Sequence, residues 1–422
     1  MSNKIICPFC QEEIPKSRSY FECLRCPKDF DEKYALYLCG GDESMVNSMN
    51  GSDQAKKHFI DPEGVNGNLR QANCKNCGKP MHKRVCPHCH NEINDGIING
   101  DTTFICVLGS RGSGKSNYLA VLLNELSKVI RPYYTVSALG SSSERWHKFY
   151  GSLYNDKPTR IEQTPKLFNT IAGGKFVTDT IYLPFQYIFK TPKNKWCPDF
   201  IKEKLDFLDK NIYHSVVFFD AAGEDLADQD SIEIVTKYIA KSDGIIFLVD
   251  PFELKKIKEK INPEDATNSA GTSGDIFKQY EHILRLVSNF IRGEKKLGAG
   301  DRLDVPLAIT LSKLDVVPDT VAPRNLNLFR PSPHEEGLGF IEADSKMIDG
   351  EMQSILGSRA DINDFIDSVK SDYKNVFLFG VSSYGLNNKP DADGNLKVPE
   401  PHRIADPMFW ILSHYGIIRR KK

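Results

Sequence analysis

The sequence predicts an α/β protein, with buried strands and helices behind a small cysteine-rich module. Three observations point there. An apolar run, Thr103 to Leu108, leads into a glycine turn and then into a segment of helical period. Further short apolar runs recur downstream, closed by Asp220, by Asp250 and by Ser312 to Asp315. Ahead of them, four C-x-x-C pairs fall within the first ninety residues.

The turn is Gly109-Ser-Arg-Gly-Ser-Gly-Lys-Ser116, which matches G-x-x-x-x-G-K-[ST]. Residues 116–127 that follow carry apolar side chains at helical spacing. A strand, a glycine turn and a helix N-terminus together make an anion site, because unpaired backbone N–H groups and the helix dipole converge there. Gly109, Gly112 and Gly114 allow the backbone to curl towards phosphates. Lys115 is placed to bridge the outer phosphates and the Ser116 hydroxyl to ligate Mg2+. Arg111, Ser113 and Asn117 complete the nucleotide-contacting stretch.

At 422 residues the chain is long enough for two or three domains and a sizeable core. Its formal net charge of −1 supplies no global field for nucleic acid or membrane. Neither a signal-peptide core nor an apolar run of ~20 residues is present, so a cytoplasmic address is expected.

The cysteine pairs are Cys7/Cys10, Cys23/Cys26, Cys74/Cys77 and Cys86/Cys89. Thiols two residues apart present both sulfurs to one tetrahedral ion, and two such turns complete a site, so two Zn2+ are predicted. A cytoplasmic address argues against disulfides. Eight residues separate Cys77 from Cys86 and twelve separate Cys10 from Cys23, which suggests sequential ribbons. An interleaved arrangement, first pair with third and second with fourth, is the alternative. His82, His88 and His90 are expected to face solvent. Each ion supplies on the order of 10 kcal/mol to a segment with little apolar core. Residues 40–73, rich in Gly, Asn, Ser and Asp, read as a loop between the sites. Basic residues lack interleaved aromatics, so protein contact or a structural role is favoured over nucleic-acid binding.

Downstream, residues 143–154 look like a short amphipathic helix and residues 182–189 like a strand beside residues 215–220. The latter ends in Asp220-Ala-Ala-Gly-Glu, where Asp220 is placed as an outer magnesium ligand and the Gly223 N–H as a γ-phosphate sensor. A further strand covers residues 244–250 and a helix residues 276–291. Residues 305–311 form a strand that delivers Ser312, Lys313 and Asp315. An Asp there accepts hydrogen bonds from guanine N1–H and its exocyclic amine, a pattern adenine lacks, while the Lys313 stem packs on the base. Residues 375–383 deliver Ser382 and Ser383 to the same end.

In this order, P-loop, Asp-x-x-Gly, Ser-Lys-x-Asp and serine loop, the chain resembles a GTPase of the translation-factor-related (TRAFAC) class over residues 102–418. Cysteine pairs ahead of the P-loop, residues 220–224 and the closing stretch 406–412 resemble a narrower group. That group is the bacterial zinc-ribbon GTPases of the double-GTPase type, linked to conflict and defence systems. The resemblance implies a Ras-like doubly wound P-loop domain over residues 99–422, after a zinc-ribbon module over residues 1–98. It also implies binding of GTP and GDP with Mg2+, switching between two nucleotide states, and a protein partner.

Three positions depart from the pattern. Ser312 replaces Asn or Thr, which predicts weaker guanine affinity. Arg111 replaces the glycine of Ras-like switches, and would crowd an incoming arginine finger or supply charge in cis. Glu224 replaces the water-positioning glutamine and would face the γ-phosphate's negative charge, so slow hydrolysis is expected. Thr164, Thr178 and Thr180 are the switch-threonine candidates, with Thr164 favoured. Insertions are expected near residues 191–213 and 316–361, the helix of Trp410 as packed core, and residues 419–422 as a solvated tail. A regulated GTPase is the favoured reading; a nucleotide-holding scaffold with little turnover is the alternative.

Overall fold

This computed structural model describes residues 4–39, 41–67, 69–93, 97–98, 100–110, 112–129, 135–138, 147, 151–155, 158, 170–171, 175–176, 185–191, 212–220, 236–261, 276–334, 339–360, 362–387, 397–418 and 420–421. The chain divides into two units. The first comprises Met1–Thr102, Ala138–Ser142 and Pro165–Val217; the second comprises Thr103–Ser137, Ser143–Thr164 and Phe218–Lys422.

In the first unit, short antiparallel strands carry the cysteine turns. Lys4–Ile6 pairs with Glu13–Pro15 around Cys7 and Cys10, and Ala72–Asn73 pairs with Pro80–Met81 around Cys74 and Cys77. Arg18–Glu22 lies between Val65–Asn66 and Lys83–Val85. Residues 40–73 are not a featureless loop. They contain the helical turns Glu43–Val46, Asn47–Met49 and Asp53–Ala55 and the strand Lys56–His58. Composition misleads here because Asp42 and Ser52 cap these turns. Val46, Met49 and Ala55 then bury against Ala35, Leu38 and Cys39.

The second unit is built around parallel strands. Five neighbouring strands of the main sheet are β1 (Asp101–Gly109), β2 (Ile212–Asp220, whose residues 212–217 fall in the first unit), β3 (Gly244–Val249), β4 (Leu307–Leu311) and β5 (Val376–Gly380), in the order β2-β1-β3-β4-β5. Of these, β1, β3, β4 and β5 run parallel. Ile105 lies opposite Gly244, Ile245 opposite Leu307, and Leu307 opposite Val376, all in parallel register. Every residue of β3 and β4 is buried, which requires cover on both faces of the sheet. Among the described residues the longer helices are α1 (Lys115–Val129), α2 (Ile276–Lys295), α3 (Glu342–Gln353), α4 (Asn363–Asp372) and α5 (Asp406–His414). Trp410 of α5 is core, stacked on Phe377 at 5.1 Å. A side chain at Gly244 would meet Ile411 of α5 at 2.5 Å, so this strand start has no room for a Cβ. Later strands are added on opposite sides of β1, which opens a crevice at its C-terminal end.

The elements expected at residues 182–189, 215–220, 244–250, 276–291, 305–311 and 375–383 are all present within a few residues. Of residues 143–154, those described include a 3-10 turn, Gly151–Tyr154. Residues 192–211 of the expected first insertion lie outside the described residues. Residues 316–361 hold α3, which buries Ser345, Ile348 and Met352. The tail is not simply solvated: Arg420–Lys421 pairs in parallel with Phe340–Ile341, and Arg420 Nε bonds Glu342 at 2.9 Å.

Asp243 ties the starts of β1 and β3 together. Its carboxylate accepts the Phe104 N–H at 3.0 Å, and its own N–H reaches the Phe104 carbonyl at 2.8 Å. Burial raises this carboxyl from 3.8 to about 6, against the opposing pull of the Phe104 amide and Lys295. A raised folded-state pKa means that folding takes up a proton between roughly pH 4 and 6. The ionised group therefore costs stability above that window and nothing below it, on the order of 2–3 kcal/mol. Asp243→Asn keeps the acceptor oxygen without the charge. It should raise the melting temperature by a few degrees at pH 7.5, with the gain vanishing near pH 4.5, as read by calorimetry at both pH values.

Candidate functional site

The glycine turn closes β1 and opens α1, as its residues require. Gly109 has φ +155°, and a Cβ there would meet the Leu248 carbonyl at 2.6 Å and Ser113 Oγ at 2.7 Å. Gly112 and Gly114 take φ of 82° and 87°, which places them in the left-handed region that favours glycine. The loop curls around its own lysine: Lys115 Nζ donates to the Gly109 carbonyl at 3.0 Å and the Ser110 carbonyl at 2.7 Å. Lys115 is buried at 6% exposure. Ser116 and Asn117 occupy the first turn of α1, and Asp220 ends β2 beside β1.

The other end of the site is assembled from β4 and β5. Asp315 accepts the Ser382 hydroxyl at 2.6 Å, and Ser382 Oγ accepts the Gly385 N–H at 3.0 Å. This joins the acid to the serine loop that carries Ser383. Lys313, held at φ 51°, spans towards the phosphate loop, where its Nζ donates to the Gly112 carbonyl at 2.8 Å and to Asp250 Oδ2 at 2.7 Å. The Ser312 hydroxyl turns to the Val249 carbonyl at 3.1 Å, so the substitution leaves it bonded to β3. Sequence reading missed two contributors. Asp250 neutralises Lys313 from the end of β3, and the Tyr384 hydroxyl donates to Asn117 Oδ1 at 3.3 Å. The acid closing an apolar run signalled the first; a lone tyrosine after two serines carries no comparable signal.

Gly223, Glu224, Arg111, Thr164, Thr178 and Thr180 lie outside the described residues.

The cysteines form two tetrads, Cys7/Cys10/Cys86/Cys89 and Cys23/Cys26/Cys74/Cys77. The pairing is therefore nested, first pair with fourth and second with third, and both the sequential and the interleaved arrangements are corrected. The strands decide this: Arg18–Glu22 pairs with Lys83–Val85, and each strand runs directly into one of the two inner or outer turns. Cross-pair Sγ separations are 3.8 Å in the first tetrad and 3.5 and 3.7 Å in the second. Four thiolates about 2.3 Å from a tetrahedral ion stand about 3.8 Å apart, so both sets fit Zn2+. Amides reinforce the sulfurs, from Asn76 N–H to Cys74 at 3.4 Å and His88 N–H to Cys86 at 3.3 Å. Three turns end in a left-handed residue, Gln11, Gly78 or His90, whose N–H returns to the first cysteine's carbonyl. After Cys26 stands Pro27, which has no N–H to give, and there the Cys26 N–H bonds the Cys23 carbonyl instead. His82 and His88 are exposed as expected. His90 is not: its Nδ1 lies 2.7 Å from Asp31, which caps a neighbouring helix, so its ring is drawn inward.

A third cluster, His334/Asp344/Asp406, resembles a ligand set but already holds a cation. Arg403 Nη1 donates to Asp344 at 2.9 Å and to Asp406 at 2.7 Å, so a guanidinium supplies the charge a metal would.

No protein-family model matches the chain. Its sequence is 24% identical over 353 residues to a Mycolicibacterium smegmatis protein provisionally described as the ESX-1 scaffolding and assembly protein SaeC, covering 79% of this chain and 80% of that one. Among solved structures it is similar to the signal recognition particle receptor SRb-GTP/SRX complex of Chaetomium thermophilum (15% identity, TM-score 0.30, 75% of this chain and 98% of that one). It is also similar to an Aquifex aeolicus Era variant bound to GDP·AlF4− (12%, 0.28, 76% and 58%). Arl6 of Trypanosoma brucei with a nucleotide analogue is a third (9%, 0.27, 75% and 99%). At these scores the likenesses carry no weight of their own. Strand order and loop geometry define the fold instead: a doubly wound α/β domain with a P-loop, preceded by a small module of zinc-ribbon type.

Two measurements follow from these geometries. Purified protein should carry about two zinc ions per chain by elemental analysis. Cys7→Ser with Cys86→Ser should remove one of them, and Cys7→Ser with Cys74→Ser both. Equal losses from the two double variants would refute the nested pairing. At the base end, burial raises the Asp315 carboxyl above the ordinary carboxylate value, opposed by Ser382, Lys313 and Arg324. Only the carboxylate accepts both guanine donors, so GDP affinity should fall on acidification at a pH above the ordinary ~3.9. Asp315→Asn should lower GDP affinity at pH 7.5 by about tenfold or more and abolish that pH-dependent part of the titration.

Proposed function

We propose that this chain is a magnesium-dependent GTP-binding protein that hydrolyses GTP slowly and changes its contacts with a protein partner between its GTP and GDP states. The observation that carries this reading is Lys313. It joins the phosphate loop at Gly112 to the end of β3 at Asp250, two residues from the Asp315 that is bonded to Ser382. One site thus combines an anion cradle with an acceptor suited to guanine N1–H and its amine.

In this reading Gly109, Gly112, Ser113 and Gly114 shape the cradle, and Lys115 meets the β- and γ-phosphates. Ser116 and Asp220 would hold Mg2+, which when bound neutralises charge on the transferred phosphoryl group. Arg111 would supply added positive charge to the same group. The Gly223 N–H would report the γ-phosphate, and Glu224 would orient the attacking water against that phosphate's charge, which keeps turnover slow. Ser312, Lys313, Asp315, Ser382 and Ser383 form the base end, and Asn117 the floor with Tyr384. The module of residues 1–98 holds two Zn2+ and serves as a partner-contact surface. A cytoplasmic address belongs to this reading; no helix among the described residues is long and apolar enough to cross a membrane. A role in bacterial conflict or defence systems rests on the sequence resemblance alone.

A second reading, a scaffold that holds GTP or GDP without useful turnover, is favoured by the scaffolding description of the mycobacterial relative. Binding of GTP, GDP and ATP to zinc-loaded protein, with phosphate release followed in the same sample, separates the two. The switch reading requires guanine-selective binding with slow release, both lost in Lys115→Ala. Selective binding without release supports the scaffold, and a preference for ATP overturns the base assignment.

A further inference from the structure

The phosphate loop is gripped from behind by a carboxylate that belongs to none of its motifs. Glu253 follows β3 in the turn Pro251–Glu253, capped by Asp250. Its Oε2 accepts the Ser110 hydroxyl at 2.6 Å and also the hydroxyl of Tyr280, a fully buried residue of α2. Tyr280 is itself fixed, edge-on against Phe247 of β3 at 5.4 Å, and its oxygen accepts the Asp250 N–H at 3.3 Å.

Ser110 is where the loop's internal bonds converge. Its carbonyl receives Lys115 Nζ at 2.7 Å, the Ser113 hydroxyl at 2.9 Å and the Ser113 N–H at 3.3 Å. Glu253 therefore fixes, through one hydroxyl, the carbonyl against which the lysine ammonium is aimed. The carboxylate lies among Asp250, which repels it, and Lys313, which draws it. Partial burial of an acid in this position costs free energy, which its hydrogen bonds to Ser110 and Tyr280 offset.

We propose that Glu253 is a positioning residue of the nucleotide site, orienting Lys115 towards the terminal phosphates through Ser110. The proposal rests on the nucleotide-binding reading above. It makes the loop's conformation depend on α2 through Tyr280, so phosphate affinity is set by a strand end and a helix outside the nucleotide motifs.

The test uses the full zinc-loaded chain and fluorescent GTP and GDP. Wild type is measured first, with ATP as the competitor; failure to bind guanine nucleotide selectively overturns the nucleotide reading and this proposal together. In a wild type that does bind, Ser110→Ala and Glu253→Ala should each raise the GTP dissociation rate by on the order of tenfold. The double variant should dissociate no faster than the worse single one, because both remove the same link. Glu253→Gln, whose amide oxygen still accepts a hydroxyl, should recover to within about threefold of wild type. Preference for guanine over adenine, set at Asp315, should not change in any of them. Additive effects of the two alanine variants, or a lower melting temperature with wild-type dissociation, would show Glu253 to be structural only and sink the proposal. Should Glu253→Ala fail to fold, Ser110→Ala and Glu253→Gln decide the same question.

Discussion

The ammonium of Lys313 is the interaction on which the site depends. It sits between the Gly112 carbonyl and the Asp250 carboxylate, with the Phe252 ring 5.1 Å away. Three separate stretches of chain meet there: the phosphate loop, the end of β3 and the end of β4. A lysine can do this because its stem is long and its charge is compact, with several donors to distribute. The pair with Asp250 is largely withdrawn from water, at 29% and 5% side-chain exposure, so neither partner can be lost without leaving the other uncompensated. The left-handed backbone at Lys313 is the local strain that this arrangement sustains.

A comparable cation organises another part of the same unit. Arg403 is 2% exposed and adopts φ 50°. Its guanidinium bonds Asp344 of α3, Asp406 at the start of α5, and the carbonyls of Asn327 and Arg330. The stretch between β4 and β5 is thereby anchored to α5, which itself packs Trp410 on Phe377. His334 belongs to this cluster as a neutral ring, since its Nδ1 accepts the Ile341 N–H at 3.0 Å and burial lowers its pKa. Clusters of His and Asp suggest metal when read as residue types, and the arginine among them removes the need for one.

The cysteine module obeys a different logic. Its apolar clusters are small, and the thiols themselves form much of the buried surface: Cys7, Cys86 and Cys89 sit with Ile5, Ile14 and Ile93. Burial, followed by hydrogen bonds from its three partner cysteines, pushes the Cys7 thiol well above its ordinary range. Zinc would hold these thiols as thiolates, so metal uptake would release protons and couple to folding. Nested pairing makes that coupling long-range, because closing the outer tetrad requires residues 7 and 89 to meet.

Much of the second unit was legible from residues in order. Thr103 to Leu108 had to be a buried strand, and Gly109 to Ser116 a loop whose Gly109 has no room for a side chain; those requirements are local steric facts. The same holds for β3, β4 and β5, whose unbroken apolar runs suit strands covered on both faces. Lys115, Asp315 and Ser382 stood out by chemistry and spacing, and the fold places them just beyond the ends of β1, β4 and β5. What only the tertiary structure decided are the partners that come from distant segments. Nothing local tells Glu253 that it will meet Ser110, or Lys313 that it will meet Asp250, because those contacts follow from parallel strand register. Four chemically equal C-x-x-C turns carry no information about which share an ion; the strand pairing of Arg18–Glu22 with Lys83–Val85 supplies it. The helical turns within residues 40–73 were hidden for the same reason. Their apolar residues are sparse in sequence and become a core only where Ala35 and Leu38 are brought against them.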